Sequence, residues 1–289
     1  MKEHRTSDQR YVTVAAVQCP LGNRREENIA LVSCMVTQAA RNSNAQIVLI
    51  PELFELPYFC RVQDQRWFAE ARPFRGNETI AKMAALAAKL KVVLPIPFFE
   101  RDGQAYYNSV AVADADGTVL GVYRKSHLPD GPGYQEKYYF RPGDTGFKTW
   151  RTRYGNIGIG ICWDQWFPEA ARSMALRGAE MLFYPTAIGS EPSVPKQDNL
   201  DPWQRVIIGH AVANHLPVVA ANRTGVEEDI KFFGSSFIAD ARGDKVEEMG
   251  RDETGYIFHT FDLCWLEESR AGWGFFRDRR PDLYKRLIR

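Results

Sequence analysis

Long apolar runs are missing from this 289-residue chain. None approaches the ~20 residues that a membrane-spanning helix needs. The opening decapeptide, MKEHRTSDQR, is polar and charged and lacks the apolar centre of a secretory leader. No membrane partner is therefore expected, and the cytoplasm is the expected location. Cysteine is sparse and scattered: Cys19, Cys34, Cys60, Cys162 and Cys264, with no C-x-x-C and no Cys/His pair at zinc spacing. An odd, dispersed set suits reduced thiols, one of which can be reactive, better than a disulfide framework or a metal centre. Charge of one sign is also missing. With 37 basic and 36 acidic residues the net charge is +1, and nothing global points to nucleic acid or an anionic surface. The basic end, RDRRPDLYKRLIR, reads as a solvated or subunit-crossing tail. There is no Gly-x-Ser-x-Gly, no low-complexity tract and no repeat of the 20–50-residue kind.

What is present is ordinary globular material, 45% hydrophobic and 25% charged, long enough for a large core. Residues 1–10 are expected to be frayed, and 11–289 to form one domain. Tyr11–Gln18, YVTVAAVQ, is a nearly continuous apolar run, the pattern of a buried strand. Residues 26–41 carry Ile29, Val32, Val36 and Ala40 at helical spacing. Strands are predicted at 46–50 and 92–99, with a helix at 79–91 between them. A hairpin follows, 109–113 and 118–123 around the turn 114–117. The segment 125–145 has the glycine and proline content of a loop but is rich in Tyr and Phe; loops this long in a compact domain are usually functional. Beyond it, strands are predicted near 147–152, 155–161, 181–187 and 216–223, with helices at 168–177 and 203–214. A last hairpin (GSSFIAD, KVEEM) and the strand GYIFHTFDL close the pattern. Strand–helix alternation in both halves implies an α/β fold with mixed sheets. The number of strands suits two sheets packed face to face with helices outside, a four-layer α-β-β-α sandwich.

The rest of the chain is organised around residues 154–169, YGNIGIGICWDQWFPE. A strand rich in glycine reaches Cys162, turns through two tryptophans, and opens a helix at Pro168, where a missing N–H costs nothing. A cysteine on such a turn is exposed, and a nearby helix N-terminus favours its thiolate. In parallel-rich sheets, active residues gather beyond the carboxyl ends of strands. Glu52, Lys125 and Cys162 each follow a predicted strand. Together they suit a cysteine hydrolase without histidine. Cys162 would be the nucleophile and Glu52 the general base. Lys125 would orient the carboxylate, lower the thiol pKa and stabilise the oxyanion, with the backbone N–H of Trp163 as second donor. Taken singly, a strand-end Glu or Lys is usually solvated, and a Cys beside a buried strand is usually inert packing. The argument rests on the three together.

Three segments, PELFELPYF, YRKSHLPDGPGYQEKYYFRPGDTGF and GIGICWDQWFPEAAR, resemble the signature blocks of the nitrilase superfamily of carbon–nitrogen hydrolases. Within it the chain is most similar to the N-carbamoylputrescine amidohydrolases, and the similarity runs through LFYPTAIGSEP, FFGSSFIAD and WGFFRDRRPDLYK. The resemblance implies the α-β-β-α sandwich, homo-oligomers built from dimers with the C-terminal tail at a subunit interface, and a Glu–Lys–Cys triad falling on Glu52, Lys125 and Cys162. It implies a second glutamate, at Glu136, that helps hold lysine and substrate. It implies no metal and no organic cofactor. The implied substrate is a small ureido compound with a cationic far end, which calls for carboxylates or aromatic faces in the pocket. Tyr58, Asp130, Tyr134 and Glu191 are the candidates for contacting it, and Trp163 and Trp166 for walling the pocket. His127 is expected to be structural. Asn108, Asn222 and Arg223 are expected to make loop hydrogen bonds only. The stretches 193–206 and 226–234 depart from the family pattern near the expected pocket rim. Two alternatives stand: the same chemistry on N-carbamoyl-β-alanine or another ureido acid, with Arg223 or Arg205 as the matching cation, and an inactive scaffold of the same fold.

Overall fold

The computed structural model describes residues 10–194 and 196–288. Most of the segment expected to be frayed lies outside the described residues. Arg10 does not fray: its guanidinium pairs with Glu180 at 2.9 Å and its carbonyl accepts from Leu263 N–H.

The elements run β1 (Tyr11–Gln18), α1 (Arg25–Asn42), β2 (Ile47–Leu49), α2 (Glu78–Leu90), β3 (Leu94–Asp102), β4 (Ala105–Ala113), β5 (Val119–Arg124) and a single turn α3 (Glu136–Tyr139) in the first half. The second half runs β6 (Thr149–Thr152), β7 (Gly155–Ile159), α4 (Pro168–Leu176), β8 (Met181–Thr186), α5 (Leu200–Asn214), β9 (Val218–Asn222), β10 (Thr224–Glu227), β11 (Ile230–Phe233), β12 (Phe237–Ala239), β13 (Lys245–Glu248), β14 (Gly255–Asp262) and α6 (Leu263–Trp273). The fold is mixed α/β. β1 lies between β14, antiparallel with Tyr11 opposite Asp262, and β2, parallel with Val14 opposite Ile47. A parallel bridge from Ile47 to Val93 leads on to β3, β4 and β5, an antiparallel meander. The other large sheet has the order β13-β12-β9-β8-β7-β6, parallel at its β7-β8-β9 centre and antiparallel at both edges.

Side-chain alternation explains the apolar runs. In β1, Val14 and Ala16 point into a cluster shared with Leu49, Val112, Ile157, Phe183, Val219 and Ile238, drawn from both large sets of strands. Their neighbours Ala15 and Val17 point the other way, onto Val32 and Val36 of α1 and Met83 of α2. In the second set, Leu182, Tyr184 and Val218 pack on Met174 of α4 and on Trp203 and Ile207 of α5. A strand buried on both faces has no polar alternation to show, which is why these segments read as unbroken hydrophobic stretches. Two elements differ from expectation. The 226–234 stretch is not a plain loop: its residues lie in the β10–β11 hairpin, with Thr224 opposite Phe233. The residues after β14 form helix α6, capped by the Asp262 side chain on the N–H groups of Cys264 and Trp265.

Candidate active site

Glu52 stands three residues beyond β2, Lys125 directly after β5, and Cys162 three residues beyond β7. Each is buried. Lys125 Nζ donates to Glu52 Oε1 at 2.8 Å and to both Glu136 oxygens at 2.8 Å. Burial alone would pull the Lys125 ammonium down. Glu136 and Glu52 beside it hold it well above its ordinary value, so it is a fixed cation. Burial pushes the Glu136 carboxyl up to about 7, against the pull of Lys125. Tyr58 O–H donates to Glu136 Oε1 at 2.8 Å, and Asn108 Nδ2 to Glu52 Oε1 at 2.7 Å. Glu52 Oε2 is buried with no hydrogen-bond partner among the described residues. One oxygen of that carboxylate is thus held by Lys125 and Asn108, and the other is left to accept a proton.

Cys162 sits at φ +39°, in the left-handed region, on a strained elbow. A 3-10 turn, Cys162–Trp166, separates it from α4, so the sulfur is not at the mouth of that helix. Its thiol is not pulled toward thiolate. Burial and the negative Glu52 push it well above its usual value, with Lys125 opposing. Asp164 fixes the elbow to the lysine segment. It is fully buried and accepts from Ile161 N–H at 3.0 Å, Tyr123 O–H at 2.7 Å and both His127 N–H and Nδ1 at 3.0 and 2.8 Å. His127 also stacks on Phe167 at 3.6 Å. It has the structural place expected of it.

Cys162 opens into a cavity of about 460 Å³ walled by Trp163, Trp166, Tyr58, Tyr134, Ile188 and Glu191, with Pro129, Val194, Gln197, Asn199 and Pro202 at its margins. The two tryptophans meet edge to face at 6.1 Å. Tyr134 O–H donates to Ser190 O at 3.1 Å and accepts from Gly189 N–H at 2.9 Å, which pins the wall next to Glu191. Of the candidate contact residues, Tyr58, Tyr134 and Glu191 line the cavity and Asp130 does not. It is exposed and lies outside the cavity lining, because Pro129–Asp130–Gly131 leads into the reversal in which Gly131 and Tyr134 bridge.

Arg223 goes beyond the loop role expected of it. It is fully buried, and its guanidinium donates to Glu52 O at 2.7 Å, Leu53 O at 3.3 Å, Leu56 O at 3.4 Å and Glu227 Oε1 at 2.8 Å. Glu227, on the unforeseen hairpin, accepts from Tyr58 N–H. The segment carrying Glu52 and Tyr58 is therefore tied down by a buried ion pair at the end of β9. The neighbouring Asn222 holds the cavity wall, bonding Ile188 N–H and O and Gly234 O. These contacts span up to 171 residues. The only sequence signal for them is a charged residue directly after a buried strand.

The arrangement has a thiol on the cavity wall, with an acceptor carboxylate and a fixed cation buried close enough to act on it, which suits acyl transfer through a thioester. Comparison with known proteins agrees. The carbon-nitrogen hydrolase family model matches residues 13–271. The chain belongs to that family. It is 54% identical over 287 residues to the N-carbamoylputrescine amidase of Solanum lycopersicum, covering 96% of this chain and 95% of that one. It is 52% identical to the citrullinase of Francisella tularensis, covering 96% and 98%. Among solved structures, a carbon-nitrogen hydrolase from Helicobacter pylori superposes with a TM-score of 0.91 at 39% identity, covering 96% and 99%.

Proposed function

We propose that this family member hydrolyses the ureido group of N-carbamoylputrescine to putrescine, carbon dioxide and ammonia. The observation that carries the substrate is the cavity wall, which holds one carboxylate, Glu191, and neither lysine nor arginine among its described lining residues. A four-carbon chain ending in an ammonium fits such a wall: aromatic and apolar sides for the methylenes, a carboxylate for the charge.

In the mechanism, Cys162 Sγ attacks the ureido carbon while its proton passes to Glu52. Lys125 and the Trp163 N–H meet the developing oxyanion. The tetrahedral adduct expels ammonia, which takes its proton from Glu52, and leaves an N-alkylcarbamoyl thioester on Cys162. Glu52 then takes a proton from water, the hydroxide displaces the sulfur, and Glu52 returns that proton to the departing Cys162 sulfur. The released carbamic acid breaks down to carbon dioxide and putrescine. Glu136 holds Lys125 in place, and Tyr58 holds Glu136.

The similarity to a citrullinase supports a second reading. Citrulline carries the same ureido chain with a carboxylate on the carbon that bears the amine. That carboxylate asks for a cation. Neither arginine considered for an acidic substrate supplies one: Arg205 is exposed and pairs with Asp201, and Arg223 is committed to Glu227 and three carbonyls. The same argument weighs against N-carbamoyl-β-alanine. The test is ammonia release from purified protein offered the three compounds in parallel, with Cys162→Ala as control. N-carbamoylputrescine should lead in kcat/KM, and Glu191→Gln should raise its KM about tenfold, the scale of one charged contact. Preference for citrulline would overturn the substrate. Release from none would return the chain to the scaffold reading.

Three of the four hydrophobic clusters support an α-β-β-α sandwich: α1 and α2 outside the β1 side, α4 and α5 outside the β8 side, one core between. They also support a single domain over 11–289. The exposed Trp265, Trp273, Leu283 and Leu287 near the C-terminus support a dimer contact there. No described helix is long and apolar enough to cross a membrane. Cys19, Cys34, Cys60 and Cys162 are thiols outside any disulfide among the described residues, which suits the reducing cytoplasm.

A further inference from the structure

Asn199 stands at the N-cap of α5, a place where an asparagine side chain usually accepts from the first N–H groups of its own helix. Here it makes no such bond. Its Nδ2 donates instead to Glu191 Oε1 at 3.0 Å, across the mouth of the cavity. Its Oδ1 accepts from Gln197 Nε2 at 2.7 Å. The carboxylate decides the orientation of the amide. An ionised Glu191 only accepts, so the NH₂ end of Asn199 has to face it, and Oδ1 is left to accept from Gln197. A residue that gives up helix capping to hold a cavity carboxylate, with its other end bonded to Gln197, is placed for recognition rather than for stability.

We propose that Asn199, oriented by Gln197, is a positioning residue that sets the amine specificity of this enzyme by holding Glu191 toward the cavity in its ionised form. The inference rests on the reading of Glu191 as the partner of the substrate's distal ammonium. It gives a purpose to the 193–206 stretch, which departs from the family pattern: Gln197 and Asn199 both lie in it. Glu191 is half-buried, which raises its pKa, and the Asn199 bond works against that rise. Beside it, Tyr134 stays neutral at working pH, raised by burial and by Glu191 itself. The other titratable groups on the cavity wall are Tyr58 and Cys162, both also raised by burial. Asp198, the adjacent acid, is occupied by Arg251. Removing the Asn199 donor therefore leaves Glu191 easier to protonate and free to swing away, and both effects weaken cation binding.

The experiment compares kcat/KM for N-carbamoylputrescine with that for N-butylurea, which has the ureido group and no charge. Four proteins are used: wild type, Glu191→Gln, Asn199→Ala and Asn199→Ser. In the wild type the ratio favours the cation, and Glu191→Gln abolishes that preference. In Asn199→Ala the ratio should fall about five- to tenfold, mostly through KM, the scale of one ordinary hydrogen bond. The acid limb of the N-carbamoylputrescine KM should move to higher pH. Asn199→Ser separates positioning from capping. Serine caps well but is too short to reach Glu191, so its melting temperature should equal or exceed that of Asn199→Ala while the ratio stays low. Recovery of the ratio in Asn199→Ser, or an unchanged ratio in Asn199→Ala beside a collapsed one in Glu191→Gln, would overturn the inference and leave the substrate reading intact. A wild type that does not favour the cation would instead overturn the substrate reading, and this inference with it.

Discussion

Arg223→Met removes the guanidinium that holds the Glu52 segment, and its cost follows from what it strands. The Arg223 side chain is 0% exposed and its partner Glu227 9%. Methionine fills much of the space but donates nothing. Glu227 is left as a buried carboxylate with one remaining donor, Tyr58 N–H, and the carbonyls of Glu52, Leu53 and Leu56 lose theirs. Breaking a buried pair from one side costs about 3–5 kcal/mol, because the surviving charge keeps its desolvation penalty. For a chain of this length each kcal/mol moves the melting temperature by about 2 °C, so a drop of roughly 6–10 °C is expected. The double variant Arg223→Met/Glu227→Leu takes the stranded charge away and should recover at least half of that drop. Turnover should not recover with it. In both variants Glu52 and Tyr58 are untethered, and loosening the carboxylate proposed as the base by even ~1 Å can cost on the order of a hundredfold in rate. Thermal unfolding followed by circular dichroism, beside kcat on the same preparations, reads both quantities. If the two substitutions add in melting temperature, or if kcat returns along with stability, the clamp is not what holds the base.

Two further outcomes follow from the same site. Glu136 titrates near 7, above the ~4.3 of an unfolded glutamate, so it binds its proton more tightly folded than unfolded. Its contribution to stability is full below pH ~4.3 and is lost as pH rises through about 7, while turnover, which uses the carboxylate to hold Lys125, falls as pH drops through about 7; Glu136→Gln should flatten the stability profile in that window and remove the acid limb along with most of the activity. Gly143 packs on the lysine segment, donating its N–H to Lys125 O, and an added Cβ would stand 2.1 Å from Arg124 O. Gly143→Ala should lower both kcat and melting temperature, because the atom in the way is backbone; a fully active variant would mean that the Lys125 segment is free to shift.

The parts of the site that were legible in the sequence are those whose signal is local. Glu52, Lys125 and Cys162 follow strands that announce themselves by unbroken apolar runs, whereas Glu136 came only from the resemblance of its block to the family. The supports were not legible, for a common reason. Arg223, Asp164 and Asn108 act on partners whose identity depends on how distant strands are laid side by side. Arg223 reaches Glu52 O across 171 residues, and its acceptors are backbone carbonyls, which every sequence possesses. The β10–β11 hairpin was missed because its turn, Glu228–Asp229, reads with Glu227 as a solvated acidic loop; Glu228 takes φ +58° without being glycine or asparagine. Asp130 carried two readings, an acid to meet a cation and a turn residue inside Pro-Asp-Gly, and its place beside the Gly131–Tyr134 bridge, outside the cavity lining, agrees with the turn.

The charge on Cys162 was misjudged from the sequence in a way that bears on mechanism. A cysteine near a lysine and a helix start suggests a resting thiolate. In the structure the lysine is already claimed: Glu52 and Glu136, two carboxylates, share its one ammonium. A thiolate added to that set would be an uncompensated charge in a buried site, and burial with Glu52 accordingly holds the proton on sulfur. Transfer of the proton from Cys162 to Glu52 avoids the problem, because one negative charge is removed as another appears and the net charge of the cluster does not change. Loss of the same proton to solvent would increase it. The nucleophile is then best made inside the cluster at the moment of attack, when the ureido carbon takes up the new electron pair. This explains why the carboxylate offers an unpartnered oxygen while its other oxygen is pinned by two donors.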